Sequence, residues 1–178
     1  MTIKLVLLRK QLQYKVSFID LQSNNFKSKY LMDNYMQSVL ISGSNDKIFG
    51  ALTVGIDKWW GEVNQQANNL GSIFKVSFGE AFWVFKVTHL ERDSTITWEC
   101  IESNQVHAGL KGVREEWLGT KLHWNITSKD NQTTNVDFLH EGLVPTFNCY
   151  DVCSKAWDYF ITDSLKSYIE EGIGKPEK

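Results

Sequence analysis

Hydrophobic and polar residues alternate along five separate segments of this chain. In one of them Leu122, Trp124 and Ile126 are apolar, while Lys121 and His123 lie between and beside them. Successive side chains of a strand point to opposite faces, so this period of two predicts a sheet with one buried face. The five predicted strands cover residues 74–78, 83–89, 96–100, 122–126 and 136–140.

A different period governs the last long segment. From residue 148 to residue 171 apolar side chains recur every three or four positions, beginning with Cys149, Cys153 and Trp157. This spacing predicts an amphipathic helix, and Gly172 is expected to end it as a C-cap. At about 1.5 Å per residue the helix is about 36 Å long, enough to cross a whole sheet.

Shorter elements are predicted before the five strands. Residues 37–41 indicate another strand, and Ser44 or Asn45 is the candidate N-cap for the short helix that follows it. Ile48 and Leu52 form the apolar face of this helix, and Gly55 separates it from a second helical turn. The order of elements predicts an α+β fold, in which a curved antiparallel sheet wraps around a long C-terminal helix.

The beginning of the chain differs in charge from the rest. The first 34 residues have a formal net charge of +4 and the remainder has −6, within a total of −2. Because nucleic acids bind clusters of Lys and Arg, the acidic body argues against a nucleic-acid partner. We predict a domain over residues 36–176 that follows an N-terminal extension over residues 1–35.

Two interpretations of this extension remain open. Met32 or Met36 is the natural start of the protein, because the charge reverses there. Alternatively the extension is genuine, and its segment 14–21 forms a strand that adds to the sheet edge or to a partner.

Composition and cysteine content narrow the class of protein. The chain is 42% hydrophobic and 22% charged, and it has 7 Trp, 6 Tyr and 10 Phe, which excludes a disordered or collagen-like chain. Its 3 cysteines are an odd number without a secretory framework, so reduced thiols are expected. No apolar run reaches membrane-spanning length, and no signal peptide is recognisable. We therefore expect a cytoplasmic protein with no membrane insertion.

Several short motifs accompany this order of elements. They are Lys47-Ile48-Phe49-Gly50-Ala51-Leu52-Thr53 with Trp59-Trp60, Thr97-Trp98-Glu99-Cys100-Ile101, Trp117-Leu118-Gly119-Thr120, His140-Glu141-Gly142-Leu143, Cys153 with Trp157, Ser164-Leu165-Lys166 with Tyr168, and Gly172-Ile173-Gly174-Lys175-Pro176. Together they resemble the START-like (SRPBCC) superfamily, whose architecture is the helix-grip fold. The similarity is to its stand-alone bacterial branch, which is grouped with homologues of the activator of the heat-shock protein 90 kDa ATPase. The resemblance covers residues 36–176.

The apolar face of the sheet and the helix is the candidate ligand site. Where the facing side chains of a curved sheet and its helix do not meet, they leave a cavity, and such pockets bind apolar ligands. We predict a small or medium hydrophobic ligand, lipid-like or aromatic, while a dry core of packed rings is the alternative. The predicted ligand-binding residues are Phe74, Phe78, Trp83, Phe85, Trp98, Trp124, Phe138, His140, Trp157 and Tyr168.

His140 is the candidate for chemistry, because strand parity places its imidazole on the apolar face, as it does for His89. The side chain orients a ligand, acts as a general base, or is a structural histidine. No catalytic nucleophile, metal-ligand spacing or cofactor motif accompanies it, and Cys149 and Cys153 are interpreted as small buried side chains.

Three functions follow from these observations. The first is non-enzymatic binding of a hydrophobic molecule without a cofactor. The second is a protein-interaction module with a chaperone as partner, as the resemblance implies. The third is a cyclase- or hydrolase-like enzyme that uses His140.

Overall fold

The computed structural model describes residues 34–177, so the predictions for segment 14–21 and for a start at Met32 lie outside it. Seven strands form one antiparallel sheet in the order β1-β7-β6-β5-β4-β3-β2. The strands are β1 (Tyr35–Ser42), β2 (Glu62–Val63), β3 (Ile73–Phe78), β4 (Ala81–Glu91), β5 (Thr95–Asn104), β6 (Lys121–Ser128) and β7 (Thr133–Glu141). Each strand from β2 to β7 pairs with its neighbour in the chain, and β1 closes the sheet beside β7.

Two short helical segments and one long helix complete the fold. Helix α1 (Asn45–Thr53) and a 3-10 turn (Ile56–Lys58) follow β1. The C-terminal helix consists of α2 (Tyr150–Tyr159), a π-helical segment (Phe160–Leu165) and α3 (Lys166–Glu171). These elements confirm the predicted α+β helix-grip fold. Within residues 34–177, none of the helices combines the length and apolarity that crossing a bilayer requires.

The π-helical segment is the one part of the C-terminal helix that the sequence pattern does not show. Its wider turn buries two adjacent pairs of side chains, which are Phe160 with Ile161 and Ser164 with Leu165. The helix then ends as predicted, because Gly172 takes the left-handed conformation with φ of 79°.

A β-bulge changes the face on which His89 lies, so its predicted position was wrong. Val87 pairs with Trp98 but His89 pairs with Thr97, which leaves one extra residue, Thr88, in β4. An extra residue turns every following side chain to the opposite face. The His89 side chain is therefore exposed, and its Nε2 lies 2.7 Å from the Thr95 hydroxyl.

Among the described residues β1 forms an edge of the sheet, and side chains of the C-terminal helix cover this edge. Lys166 Nζ donates to the Leu40 carbonyl oxygen (2.7 Å), and the Ser42 amide donates to Glu170 Oε1 (2.7 Å). The Tyr35 hydroxyl donates to an Asp158 carboxylate oxygen at 2.7 Å. Unpaired strand edges can pair with strands of other chains. These contacts therefore hold the helix against the sheet and also hinder such pairing at the edge.

Candidate functional site

All seven tryptophans of the chain belong to one continuous network of ring contacts between sheet and helix. The centroid distances are 5.0 Å for Trp83–Trp117, 5.8 Å for Trp117–Trp157, 4.9 Å for Trp157–Trp60, 5.8 Å for Trp60–Trp59, 6.2 Å for Trp60–Trp98 and 5.6 Å for Trp98–Trp124. Trp157 on α2 contacts rings from β6, β7 and the loop before β6. It is therefore the main anchor of the helix on the sheet.

Most of the predicted ligand-binding residues form a dry core. Their rings fill the space between sheet and helix, as the 4.3 Å between the centroids of Trp124 and Phe138 illustrates. The predicted residues that are buried in this core and do not line the cavity described next are Phe74, Phe85, Trp98, Trp124, Phe138 and His140.

A small cavity remains at one end of this core. Its volume is about 60 Å³, so it is less than half the size of a cavity that holds benzene, about 150 Å³. Three predicted residues line it, namely Phe78, Trp83 and Trp157. The other lining residues are Trp60, His107, Trp117, Cys153, Ala156, Phe160 and Glu177.

The sequence analysis missed His107, Trp117 and Glu177 for an identifiable reason. They lie in the loop between β5 and β6 and in the segment after the C-terminal helix, where no period of two or of 3.6 applies. The Trp117-Leu118-Gly119-Thr120 motif was the only signal that pointed to this loop.

Seven buried side-chain atoms of the described residues have no hydrogen-bond partner, and three of them belong to residues that line the cavity, whereas others, such as the Trp98 and Trp124 indole N–H groups, lie in the dry core. Within the described residues, the Trp83 indole N–H and His107 Nε2 have no hydrogen-bond partner. The Trp117 indole N–H is likewise without a hydrogen-bond partner, and it interacts with the Cys149 and Cys153 thiols, whose sulfur is a weak acceptor. Because buried polar groups are normally paired, unpaired donors on a cavity wall are a feature of binding sites.

His140 lies next to this cavity, in a hydrogen-bond chain that fixes its tautomer. The Trp157 indole N–H donates to His140 Nδ1 (3.0 Å), so Nδ1 carries no proton. The Thr120 hydroxyl donates to the Trp117 carbonyl oxygen (2.7 Å) and accepts from His140 Nε2 (3.0 Å). The chain connects the helix, β7 and the loop before β6.

These contacts make His140 a structural residue. Burial lowers the pKa of His140 to about 3, with a smaller effect from the nearby His123, so the imidazole is neutral at physiological pH. The side chain is fully buried and both of its nitrogens are bonded within the protein. A general base must reach a substrate proton, and His140 has no free nitrogen to do so.

The segment after the C-terminal helix covers the mouth of the cavity. The Glu177 amide donates to the Trp60 carbonyl oxygen (3.0 Å), and the Lys175 amide donates to Ser164 Oγ (2.7 Å). A Cβ atom at Gly174 would overlap the carbonyl oxygen of Lys58, so only glycine fits there. We call residues 172–177 the C-terminal strap.

The outer side of the strap borders a surface groove of about 730 Å³. Glu177 lines both the groove and the cavity, so the two spaces adjoin at this residue. Tyr168, the tenth predicted residue, lines this groove and does not belong to the aromatic network. Its hydroxyl lies close to Gly55.

Glu116 positions the start of the C-terminal helix, a role that the sequence analysis did not assign. Its Oε1 accepts hydrogen bonds from the Asn148 amide and side chain (both 2.8 Å), and its Oε2 accepts one from the Cys149 amide (2.9 Å). Although desolvation acts against it, these hydrogen bonds hold the pKa of the Glu116 carboxyl below its usual range. The carboxylate also interacts favourably with the positive end of the helix dipole.

Comparison with known structures decides the family. The chain is 31% identical to Aha1 from Colwellia psychrerythraea, solved as a dimer in solution, over 79% of this chain and 98% of that one, with a TM-score of 0.64. The chain belongs to the START-like (SRPBCC) superfamily, in its Aha1-homologue branch. No family model and no curated protein matches the sequence.

More distant members show how widely this helix-grip fold is used. DynU16, a protein of the dynemicin biosynthetic locus, has a TM-score of 0.61 at 18% identity and covers 80% of this chain, which spans 49% of DynU16. CalU16 from Micromonospora echinospora has a TM-score of 0.54 at 15% identity, over 79% of this chain and 75% of that one. The START-like fold is a ligand-binding fold, and within the described residues of this chain a cavity of about 60 Å³ lies between the sheet and the C-terminal helix.

Proposed function

We propose that this protein binds a compact hydrophobic molecule, without catalysing a reaction on it, in the cavity between sheet and C-terminal helix. The observation that carries the proposal is the cavity itself, which is lined mainly by aromatic side chains, three of which have a buried polar atom without a hydrogen-bond partner among the described residues. An enzyme that uses His140 is not favoured, because the imidazole is fully buried and bonded on both sides.

The strap supplies a route by which the ligand enters. The cavity of about 60 Å³ must expand to admit even a six-membered ring. Few hydrogen bonds hold the strap, and displacing Glu177 joins the cavity to the groove outside. We therefore expect a ligand to bind with the strap displaced or reseated over it.

Titration with benzene, indole and cyclohexane, followed by the shift of the melting temperature, tests the proposal. A ligand present at 100 times its Kd stabilises the native state by about 2.7 kcal/mol. Ala156→Leu fills the cavity and is expected to abolish the shift. Lys155→Leu, at the exposed neighbouring position, is the matched control and should respond as the wild type does.

A second pair of variants examines the strap. Gly174→Ala pushes the strap away from Lys58 and is expected to raise the association rate, whereas Gly50→Ala, whose Cβ meets no atom within 4 Å, leaves the rate unchanged. If no compound shifts the melting temperature of the wild type or of Gly174→Ala, the cavity is only a packing defect and the proposal is wrong.

A second candidate function is interaction with a chaperone, which the 31% identity to Aha1 favours. We expect the purified protein to bind a heat-shock protein of the ninety-kilodalton class and to stimulate its ATPase. Calorimetry and a coupled ATPase assay measure these effects, and the absence of both would remove this candidate.

A further inference from the structure

The ligand that the cavity accepts can be described more closely from the groups on its walls. This inference rests on the proposed binding function and adds the chemical class of the ligand. We propose that the ligand is an uncharged cyclic ketone, or a larger molecule that ends in such a group, and that its carbonyl oxygen is bound by Trp83 and His107.

The first step concerns the hydrogen-bonding direction. Trp83 is 3% exposed, and its indole N–H can only donate. Burying a donor without a partner is unfavourable, and in the described residues this N–H has none. An acceptor brought by the ligand corrects this, whereas a pure hydrocarbon leaves the donor unpaired.

The second step concerns the number of donors. His107 also lines the cavity, its Nε2 is buried without a hydrogen-bond partner among the described residues, and in one tautomer this nitrogen carries a proton. A carbonyl oxygen has two lone pairs and accepts two hydrogen bonds, which matches this pair of donors.

The third step concerns charge. Among the described lining residues, the only carboxylate is that of Glu177 at the mouth, and neither lysine nor arginine contributes. Burying a carboxylate ligand without a cationic partner is costly, and Glu177 would repel it. A neutral carbonyl compound is favoured over an organic acid.

The fourth step concerns shape. Trp117 stacks on Trp157 with an interplanar angle of 14° and a centroid distance of 5.8 Å, so the indoles on this side present flat walls. A flat or nearly flat ring packs against an indole face better than a branched chain does.

A matched pair of compounds tests this class. Cyclopentanone and methylenecyclopentane have the same ring and differ only in an oxygen atom against a CH₂ group. We expect Trp83→Phe, which keeps an aromatic ring but removes the donor, to weaken cyclopentanone binding about tenfold and to change methylenecyclopentane binding less than twofold. Calorimetric titration of the full chain measures both affinities.

Two further variants make the result specific. Trp98→Phe is the control, because Trp98 also has a buried unpaired N–H but does not line the cavity, and it should leave both affinities unchanged. His107→Phe removes the second donor from a partly exposed loop and should weaken only the ketone, even if Trp83→Phe fails to fold.

The outcomes separate this inference from the proposed function. If methylenecyclopentane binds the wild type and neither Trp83→Phe nor His107→Phe selectively weakens cyclopentanone, the ketone class is wrong while hydrophobic binding stands. If neither of these two compounds nor benzene, indole or cyclohexane binds to the wild type, the proposed function itself fails.

Discussion

Replacing His140 by leucine is expected to lower the free energy of unfolding at pH 7 by about 2–3 kcal/mol. The substitution leaves the buried Trp157 indole N–H without its acceptor, and it removes the donor to Thr120. Both groups lie where the C-terminal helix is fastened to the sheet. Urea unfolding, followed by circular dichroism, measures the loss.

The same variant changes the dependence of stability on pH. The folded state keeps His140 neutral down to about pH 3, because its pKa is lowered there, while the unfolded chain binds a proton near pH 6.5. The unfolded state therefore holds one more proton between these values. In the wild type this histidine lowers the free energy of unfolding by about 1.4 kcal/mol for each pH unit below pH 6.5.

The His140→Leu variant has no histidine to titrate at this position, so its loss of stability relative to the wild type should shrink on acidification and vanish between about pH 5 and about pH 4.4. His89→Gln is the control, since the His89 side chain is exposed and should give a curve parallel to that of the wild type. A constant difference between His140→Leu and wild type from pH 7 to pH 4 would contradict a buried neutral imidazole.

Trp157→Ala is expected to cost about 3–5 kcal/mol, the range for removing a large buried aromatic side chain. Trp157 is 1% exposed and touches rings on both sides of the core, among them Trp60 at 4.9 Å and Phe138 at 4.6 Å. Its removal also joins the new space to the existing cavity, which Trp157 lines. Thermal unfolding gives the size of the loss.

Binding of indole tests whether the Trp157→Ala substitution leaves a cavity with the shape of the lost side chain. If Trp157 leaves a hole of its own shape, added indole should bind and raise the melting temperature of Trp157→Ala by several degrees but not that of the wild type by as much. Tyr159→Ala, at an exposed position of the same helix, should lose less than about 1 kcal/mol. Equal losses in the two variants would show that Trp157 does not anchor the helix.

The strands were predictable because each alternating segment has one side that faces the core. Phe74 and Val76, and likewise Leu122 and Trp124, are buried as their parity predicts. The pattern failed at His89, since the bulge at Thr88 depends on pairing with β5 and not on local sequence. The π-helical segment likewise arises from packing of the C-terminal helix on the core, which a period near 3.6 cannot reveal.

The candidate site was only partly predictable. The alternation along the strands placed Trp83 and Phe78 on the apolar face, and both line the cavity. The same alternation could not distinguish them from Phe85, which is buried in the packed core and does not line the cavity. Whether two rings touch or leave a gap depends on a few tenths of an ångström in the spacing of sheet and helix. His107 contributes from a loop, where side-chain direction follows from no repeating pattern.

By itself the sequence determined the type and order of the elements, the helix-grip architecture and the gathering of the aromatic side chains on facing surfaces. These properties follow from the periods of the strand and the helix, which the order of residues records directly. Only the tertiary structure decided that most of the rings form a dry core, that His140 is held neutral between Trp157 and Thr120, and that one small cavity lies beneath the strap. These features depend on contacts between residues far apart in the chain. Packing decides which rings touch, and desolvation decides the charge state of His140.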